Sequence, residues 1–311
     1  MDEFYQISEA RKGLESIVEE RTSSGPKCTQ LVQYSDNDGA SNEAHPIVSN
    51  HVWKLASPIN SEDVEDGKDG VLEEIVLRIQ GIICKKNLPP IRNPIPSHRV
   101  QFYKQLVTLT AFNSPYFQSC IDNIHDIHQK FSQRMPENSL EPLVMEMFEE
   151  YRAITISNRY CTSRNKSPTH SSIPFKSCVD PDQILQFSMG AEFIHTAENE
   201  VEYFKFYPDE NGSNQYRNMD PSLFRIGDIV EVQLSFVVVP VKNNRSKMIN
   251  VLRAVTLLDP KYQMDSAIIR NRAEHNHTRH NPNITLKRKV GYCDEAEKTP
   301  SKIAKMTIDN L

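Results

Sequence analysis

Between residues 71 and 83 the apolar side chains return at helical spacing, with Val71, Leu72, Ile75, Val76, Ile79, Ile82 and Ile83 on one side. Asp69 stands near the N-cap, and Lys85 and Lys86 sit at the favourable end of the dipole. This pattern predicts a helix, which Pro89, Pro90, Pro94 and Pro96 then stop by imposing an extended path. A second helix is predicted over 98–110 through Val100, Tyr103, Leu106 and Val107. A third opens at Asn113-Ser114-Pro115, a cap followed by a first-turn proline, and its stripe is Phe117, Cys120, Ile121, Ile124, Ile127, His128 and Phe131. A fourth, over 140–157, has Val144, Met147, Phe148, Tyr151 and Ile154 on one side. Four amphipathic helices in succession predict a small helical bundle over 71–158.

Residues 159–179 are polar and broken by Pro168 and Pro174, which predicts a linker. Asp180-Pro181 then signals a short helix ending at Gly190. After it the period changes to two. Phe193-Ile194-His195 and 201–207 read as strands joined over Glu198-Asn199, and 209–219 as a polar loop. The strongest strand is 229–239, with Val230, Val232, Leu234, Phe236 and Val238 on one face and Glu231, Gln233 and Ser235 on the other. Across a polar turn at Asn243-Asn244-Arg245, residues 248–258 form its return strand. Together these predict a compact β-rich module over 180–259.

Within that module, Phe193-Ile194-His195-Thr196, Asn199, Val201, Tyr203, the run from Phe224 through Arg225-Ile226-Gly227-Asp228 to Val232, Ser235-Phe236, Val251-Leu252-Arg253 and Leu257-Leu258-Asp259 resemble an uncharacterised family of predicted proteins from mushroom-forming fungi. The resemblance implies a folded unit over 180–259 and brings no activity with it.

Composition changes the picture at both ends. Residues 1–70 carry 14 acidic and 6 basic residues, and from Thr22 to Asp69 the chain is rich in Ser, Asn, Asp and Gly. Such a stretch buries too little apolar surface to offset its ordering entropy, so it is expected to be mostly disordered, apart from a short amphipathic helix over 3–20 with Phe4, Ile7, Leu14 and Val18 apolar. The whole chain has 36 Lys and Arg against 41 Asp and Glu, a formal net charge of −5. Residues 260–311 reverse that sign, with ten basic and six acidic residues, and are expected to be a basic, mostly disordered tail. Six scattered Cys with no CxxC point to reduced thiols, and no secretory leader or apolar run approaching the ~18 residues of a membrane span is present, so an intracellular protein with no membrane partner is expected.

The tail carries the leading candidate site. Arg270, Arg272, Arg279, Lys287, Arg288 and Lys289, with His275, His277 and His280 among them, form a cationic segment that would attract DNA or RNA by releasing condensed counterions, and Lys287-Arg288-Lys289 has the composition of a nuclear-import address. The bland alternative is a solvated tail. The three tail histidines have loose spacing and no nearby Cys, so no metal is assigned to them; Cys161, His170 and Cys178 match no zinc knuckle. His125 and His128, beside Asp122 and Asp126, are the most enzyme-like group, but His128 continues an apolar stripe and reads as a boundary histidine. His195 reads as bonding a neighbouring backbone group. Phe204, Phe206 and Tyr207 beside Lys205 offer an aromatic and basic face, against the reading of plain core aromatics. The acidic run 62–69 fails as a calcium loop because Val64 takes a ligand position, and no GxxxxGK, GxGxxG, GxSxG or HExxH occurs. The expected fold class is α+β: a helical bundle, then a small antiparallel barrel-like or curved-sheet module, between disordered ends. The expected function is non-enzymatic nucleic-acid association through the tail, without cofactor, with a protein-interaction scaffold as the alternative and a metal enzyme using the helix histidines behind both.

Overall fold

The computed structural model describes residues 1–24, 30–34, 45–49, 52–58, 72–166, 171–208 and 215–278. Residues 1–268 form one compact unit and 269–311 a second. The first unit is dominated by an 11-stranded mixed sheet, not by helices. In chain order its elements are α1 (Ile7–Ser24), β1 (His45–Ser49), β2 (Val52–Pro58), β3 (Leu72–Glu74), β4 (Leu77–Asn87), β5 (Lys104–Thr110), α2 (Pro115–Arg134), β6 (Glu146–Phe148), β7 (Tyr151–Arg159), β8 (Thr162–Ser163), α3 (Ile184–Met189), β9 (Phe193–Ile194), β10 (Glu202–Tyr207), β11 (Gln215–Asn218), β12 (Ile229–Pro240) and β13 (Ser246–Asp259), followed by α4 (Lys261–Thr278), which runs on past residue 268.

The predicted helical bundle is overturned. Of its four helices only the third forms: α2 starts behind Ser114 with Pro115 in the first turn, and Phe117, Cys120, Ile121, Ile124, Ile127 and Phe131 are its buried residues. The other three segments are strands β4, β5 and β7, with a 3-10 turn over Ser97–Phe102 ahead of β5. Their apolar runs are dense in β-branched residues and buried on both faces, as in β4, where every side chain from Ile79 to Cys84 is buried. A run of that kind satisfies helical and strand spacing together, and β-branching favours the strand. Likewise Gln215–Asn218, expected in a loop, is the strand β11 paired with β10. His45–Ser49 and Val52–Pro58 lie in the segment expected to be disordered, yet they form the antiparallel pair β1–β2, and β2 also pairs β12. The first stretch of the expected unstructured tail is helical in α4.

Five strands close on themselves. Around the ring β12 pairs β4, β4 pairs β5, β5 pairs β7, β7 pairs β13, and β13 pairs β12. Numbered along the chain as first (β4), second (β5), third (β7), fourth (β12) and fifth (β13), the order around the ring is first, second, third, fifth, fourth. All contacts are antiparallel except the third with the fifth. That is the strand order of an OB-type barrel, a partly open five-stranded Greek key. The weak seam is the parallel one, where the backbone register is the single pair Val251–Ser157. Side chains seal it: Asn250 Nδ2 donates to the Thr155 carbonyl at 3.2 Å and Asn158 Nδ2 to the Leu252 carbonyl at 3.1 Å.

Register pairs fill the inside. Val232 lies opposite Ile79 and Val255, Leu109 opposite Ile154, and Val107 opposite Ile156, all fully or almost fully buried. At Gly227, φ is +97° and a Cβ would stand 2.8 Å from the Tyr5 ring, while the Tyr5 hydroxyl donates to the Gly227 carbonyl at 2.8 Å. Only glycine fits that turn, which feeds β12 and holds the start of the chain against the barrel. A second small core (Ile91, Ile95, Val100, Tyr160, Cys161, Val179, Leu185 and Met189) joins the loop between β4 and β5 to α3. Tyr160 and Cys161, expected in a linker, are thus buried. No helix among the described residues is long and apolar enough to cross a membrane.

Candidate functional site

The outer side of the second and third barrel strands is exposed or half-buried at its Lys104–Arg159 end and closed further along, where Thr108 and Thr110 are buried and Glu146 Oε2 accepts from the Thr155 hydroxyl at 2.7 Å. Alternation along β5 turns Gln105, Val107 and Leu109 inward and leaves Lys104 and Leu106 half-buried on the outside; along β7 it leaves Thr155, Ser157 and Arg159. The register sets Lys104 directly opposite Arg159, Leu106 opposite Ser157 and Thr108 opposite Thr155. On the neighbouring first strand, Lys85 lies opposite Thr108 and is exposed. From the start of the fifth strand, the charge of Lys247 also reaches Lys104. Burial lowers the Lys104 ammonium below the ordinary lysine value, and Arg159 and then Lys247 lower it further.

Like charges placed opposite one another across two strands are unfavourable. Other cations of the sheet are neutralised by carboxylates. Arg253 Nη2 bonds Glu74 Oε1 at 2.5 Å and Glu198 Oε2 at 3.1 Å, and Lys54 Nζ reaches the same two carboxylates at 2.9 Å. There burial works upward on Glu74 and Glu198, but Arg253 and Lys54 outweigh it and hold both carboxyls below the usual range. Arg21 Nη1 likewise meets Glu231 Oε2 at 3.1 Å beneath the sheet surface. By contrast, Lys85, Lys104, Arg159 and Lys247 make no ion pair with a carboxylate among the described residues. Two residues before Lys104, Phe102 ends the 3-10 turn that leads into β5 and is 66% exposed, a large ring with no core to fill. Cations without counterions next to a bare aromatic ring suit a ligand that is both anionic and planar.

A second aromatic and basic group lies on the β10–β11 hairpin. Phe206 is half-buried and packs against Tyr216 with ring centroids 5.5 Å apart. Arg21 lies over Phe206 at 4.4 Å while its charge is taken by Glu231. Tyr207 is 37% exposed and Tyr216 42%, so the core reading does not account for these rings.

The residues singled out in the tail are not gathered into a site among the described residues. Arg270 and Arg272 are exposed on α4, two positions apart and so on different sides of the helix. Arg279, Lys287, Arg288 and Lys289 lie outside the described residues, as do the side chains of His275, His277 and His280. The helix-three group is committed elsewhere: His128 Nε2 lies 2.9 Å from the Glu141 carbonyl, and Asp122 accepts from Gln118 at 2.8 Å. No cluster of three His, Cys, Asp or Glu is placed to hold a metal among the described residues. His195 Nδ1 lies 2.7 Å from the Tyr160 carbonyl and its ring stacks on Phe175 at 4.1 Å. Burial pushes its imidazole below the ordinary value, so it is a packed core residue. Sequence reasoning missed Lys104, Arg159, Lys247 and Phe102 because it wound two of their strands into helices. The legible signal was the β-branched run Thr108, Thr110, Ile154, Thr155 and Ile156.

Asp228, at the head of β12, is the one carboxyl among the described residues that folding disfavours strongly in its charged form. Burial pushes it up to about 6, against the hydrogen bond it accepts from the Arg225 amide and the charges of Arg225 and Lys86. Its Oδ2 takes that 2.7 Å bond, and its buried Oδ1 has no partner. Folding thus favours the protonated form; the stabilisation is full below the unfolded value of 3.8 and is lost as pH rises through about 6. Asp228→Asn keeps an acceptor for the Arg225 amide. Thermal or urea unfolding should show the variant gaining on the wild type by roughly 1–2 kcal/mol between pH 4.5 and 7.5. A gap independent of pH would show that Asp228 does not titrate there.

No protein-family model matches the chain, and no curated protein sequence does. Among solved structures, the chain is similar to the single-stranded DNA-binding protein from bacteriophage Enc34 in a C-terminally truncated form: 9% identical, covering 70% of this chain and 94% of that one, with a TM-score of 0.28. At that score the similarity carries no argument about this protein's fold or function.

Proposed function

We propose that this protein binds single-stranded nucleic acid across the outer face of β5 and β7, with Lys104, Arg159 and Lys247 on phosphates and Phe102 stacking on a base. The observation that carries this reading is the like-charged pair Lys104–Arg159, set directly opposite in register on the outer face and without an ion pair to a carboxylate among the described residues. A polyanion supplies the missing countercharge, and stacking on an exposed ring requires bases that are free of a duplex. Fold-level analogy points to the same place, since OB-type barrels take oligonucleotides and oligosaccharides on their second and third strands and adjoining loops; the cations select the anionic class.

The test is a titration of the full chain with a labelled single strand and with its duplex, over a range of salt. The single strand should bind more tightly, and log K should fall linearly with log salt at a slope of about −2 for three phosphate contacts. Phe102→Ala should weaken binding roughly tenfold without changing that slope. Equal binding of duplex, or no binding at low salt, contradicts the proposal.

A further inference from the structure

The β10–β11 hairpin repeats the chemistry of the barrel face at a separate place in the sheet. It is inserted between the third and fourth barrel strands, pairs with the barrel only through β13, and ends the sheet at β11. Lys205 lies opposite Arg217 in its register, again two cations facing each other. Alternation puts Tyr207 on their side of the hairpin, and both Lys205 Nζ and Arg217 Cζ lie 4.9 Å from the Tyr207 ring centroid. Neither cation pairs with a carboxylate among the described residues, and Arg217 bonds only the Gln215 side chain, at 3.1 Å. The opposite side of the hairpin differs in charge: Arg21 lies over Phe206 with its charge taken by Glu231, and Tyr216 beside it stays 42% exposed. Among the described residues, the Lys205–Tyr207–Arg217 side is therefore the one whose cations have no carboxylate partner.

We infer that this side is a second contact for the same single strand, with Lys205 on a phosphate and the Arg217 guanidinium and Tyr207 ring forming a stack for a base. The inference rests on the proposed function and adds that the full site is longer than the barrel face. A strand too short to reach the hairpin sees only Lys104, Arg159, Lys247 and Phe102, and a longer one engages both places.

The experiment is a length series of oligothymidylate with the full chain, comparing the wild type with Lys205→Gln/Arg217→Gln and, separately, with Tyr207→Ala. The wild type should show a first affinity level at short lengths and a second rise, of at least tenfold, beyond a threshold length. The double variant should match the wild type on short strands, lack the second rise, and lose about 0.7 from the salt slope on long strands, for the one phosphate contact assigned to Lys205. Tyr207→Ala should reduce the second rise and leave the slope alone. All three positions are exposed or half-buried, and unfolding midpoints confirm that the variants fold. A second rise that persists in the double variant overturns the inference, as does an equal loss on short strands, or competition by polyglutamate alone. A wild type that binds short strands with no length threshold overturns the inference and leaves the barrel reading standing, whereas no binding at any length removes both.

Discussion

Neutralising the facing cations, Lys104→Gln with Arg159→Gln, is expected to lower affinity for a single strand by at least ~100-fold while leaving the fold as stable as before or slightly more so. Each of these groups is assigned a charge-assisted bond to phosphate worth about 1.5–3 kcal/mol, so losing both exceeds the two factors of ten. The folded protein gains from the change, because the register holds the two cations opposite one another and burial plus Arg159 already disfavour the charged Lys104. Relief of a facing like-charge pair is worth about 0.2–1 kcal/mol. Opposite signs for binding and stability identify residues held in place for a ligand. Arg134→Gln, at the exposed end of α2, is the matched control and should change affinity little. Parallel losses of stability and affinity would instead make Lys104 and Arg159 structural.

Glu231→Ala is expected to be the most damaging single polar substitution, costing about 3–5 kcal/mol in urea unfolding with an unchanged m-value. Glu231 is 1% exposed on β12. It accepts from Arg21 Nη1 at both oxygens, at 3.2 and 3.1 Å, and from Gln80 Nε2 at 2.7 Å, and Gln80 donates in turn to Gln30 at 3.0 Å. Removing the carboxylate strands the Arg21 guanidinium, whose side chain is only 10% exposed, and unties α1 from the barrel. Arg21→Met in the same chain should recover a large part of the loss, because the buried Arg21 charge carries most of the penalty, Arg78 at 3.9 Å from Glu231 being 34% exposed. A cost below about 1 kcal/mol for the single variant would mean that α1 is held by its apolar face alone.

The parts of this fold visible in the sequence are those in which one local rule had no rival. Ser114-Pro115 ahead of a one-sided apolar stripe marks α2, and strict alternation from Val230 to Val238 marks β12, with its turn at Asn243-Asn244, both at positive φ. Where apolar residues fill both faces of a strand, as at Ile82 and Ile83 in β4, the alternation disappears. Isoleucines at 75, 79, 82 and 83 then imitate a helical stripe, and closure of the ring is a long-range fact that no window of residues contains. The site went unseen for the same reason: Lys104 and Arg159 are 55 positions apart and become neighbours only through pairing of β5 with β7. Lys205 and Tyr207 could be noticed because they lie on one strand, whereas Arg217 joins them across a hairpin that was read as a loop. The charge-rich tail drew attention because its basic residues are adjacent in the chain, and adjacency is the one kind of clustering a sequence displays directly.

Photo-crosslinking of the full chain to a single strand substituted with 5-iodouracil, followed by identification of the attached residues, locates the bound strand without any substitution in the protein. Attachment at Phe102 and within 97–110 and 151–159 is the expected result, with Tyr207 added once the strand is long. Attachment confined to 261–311, or spread evenly over the surface, would contradict a binding face on the barrel.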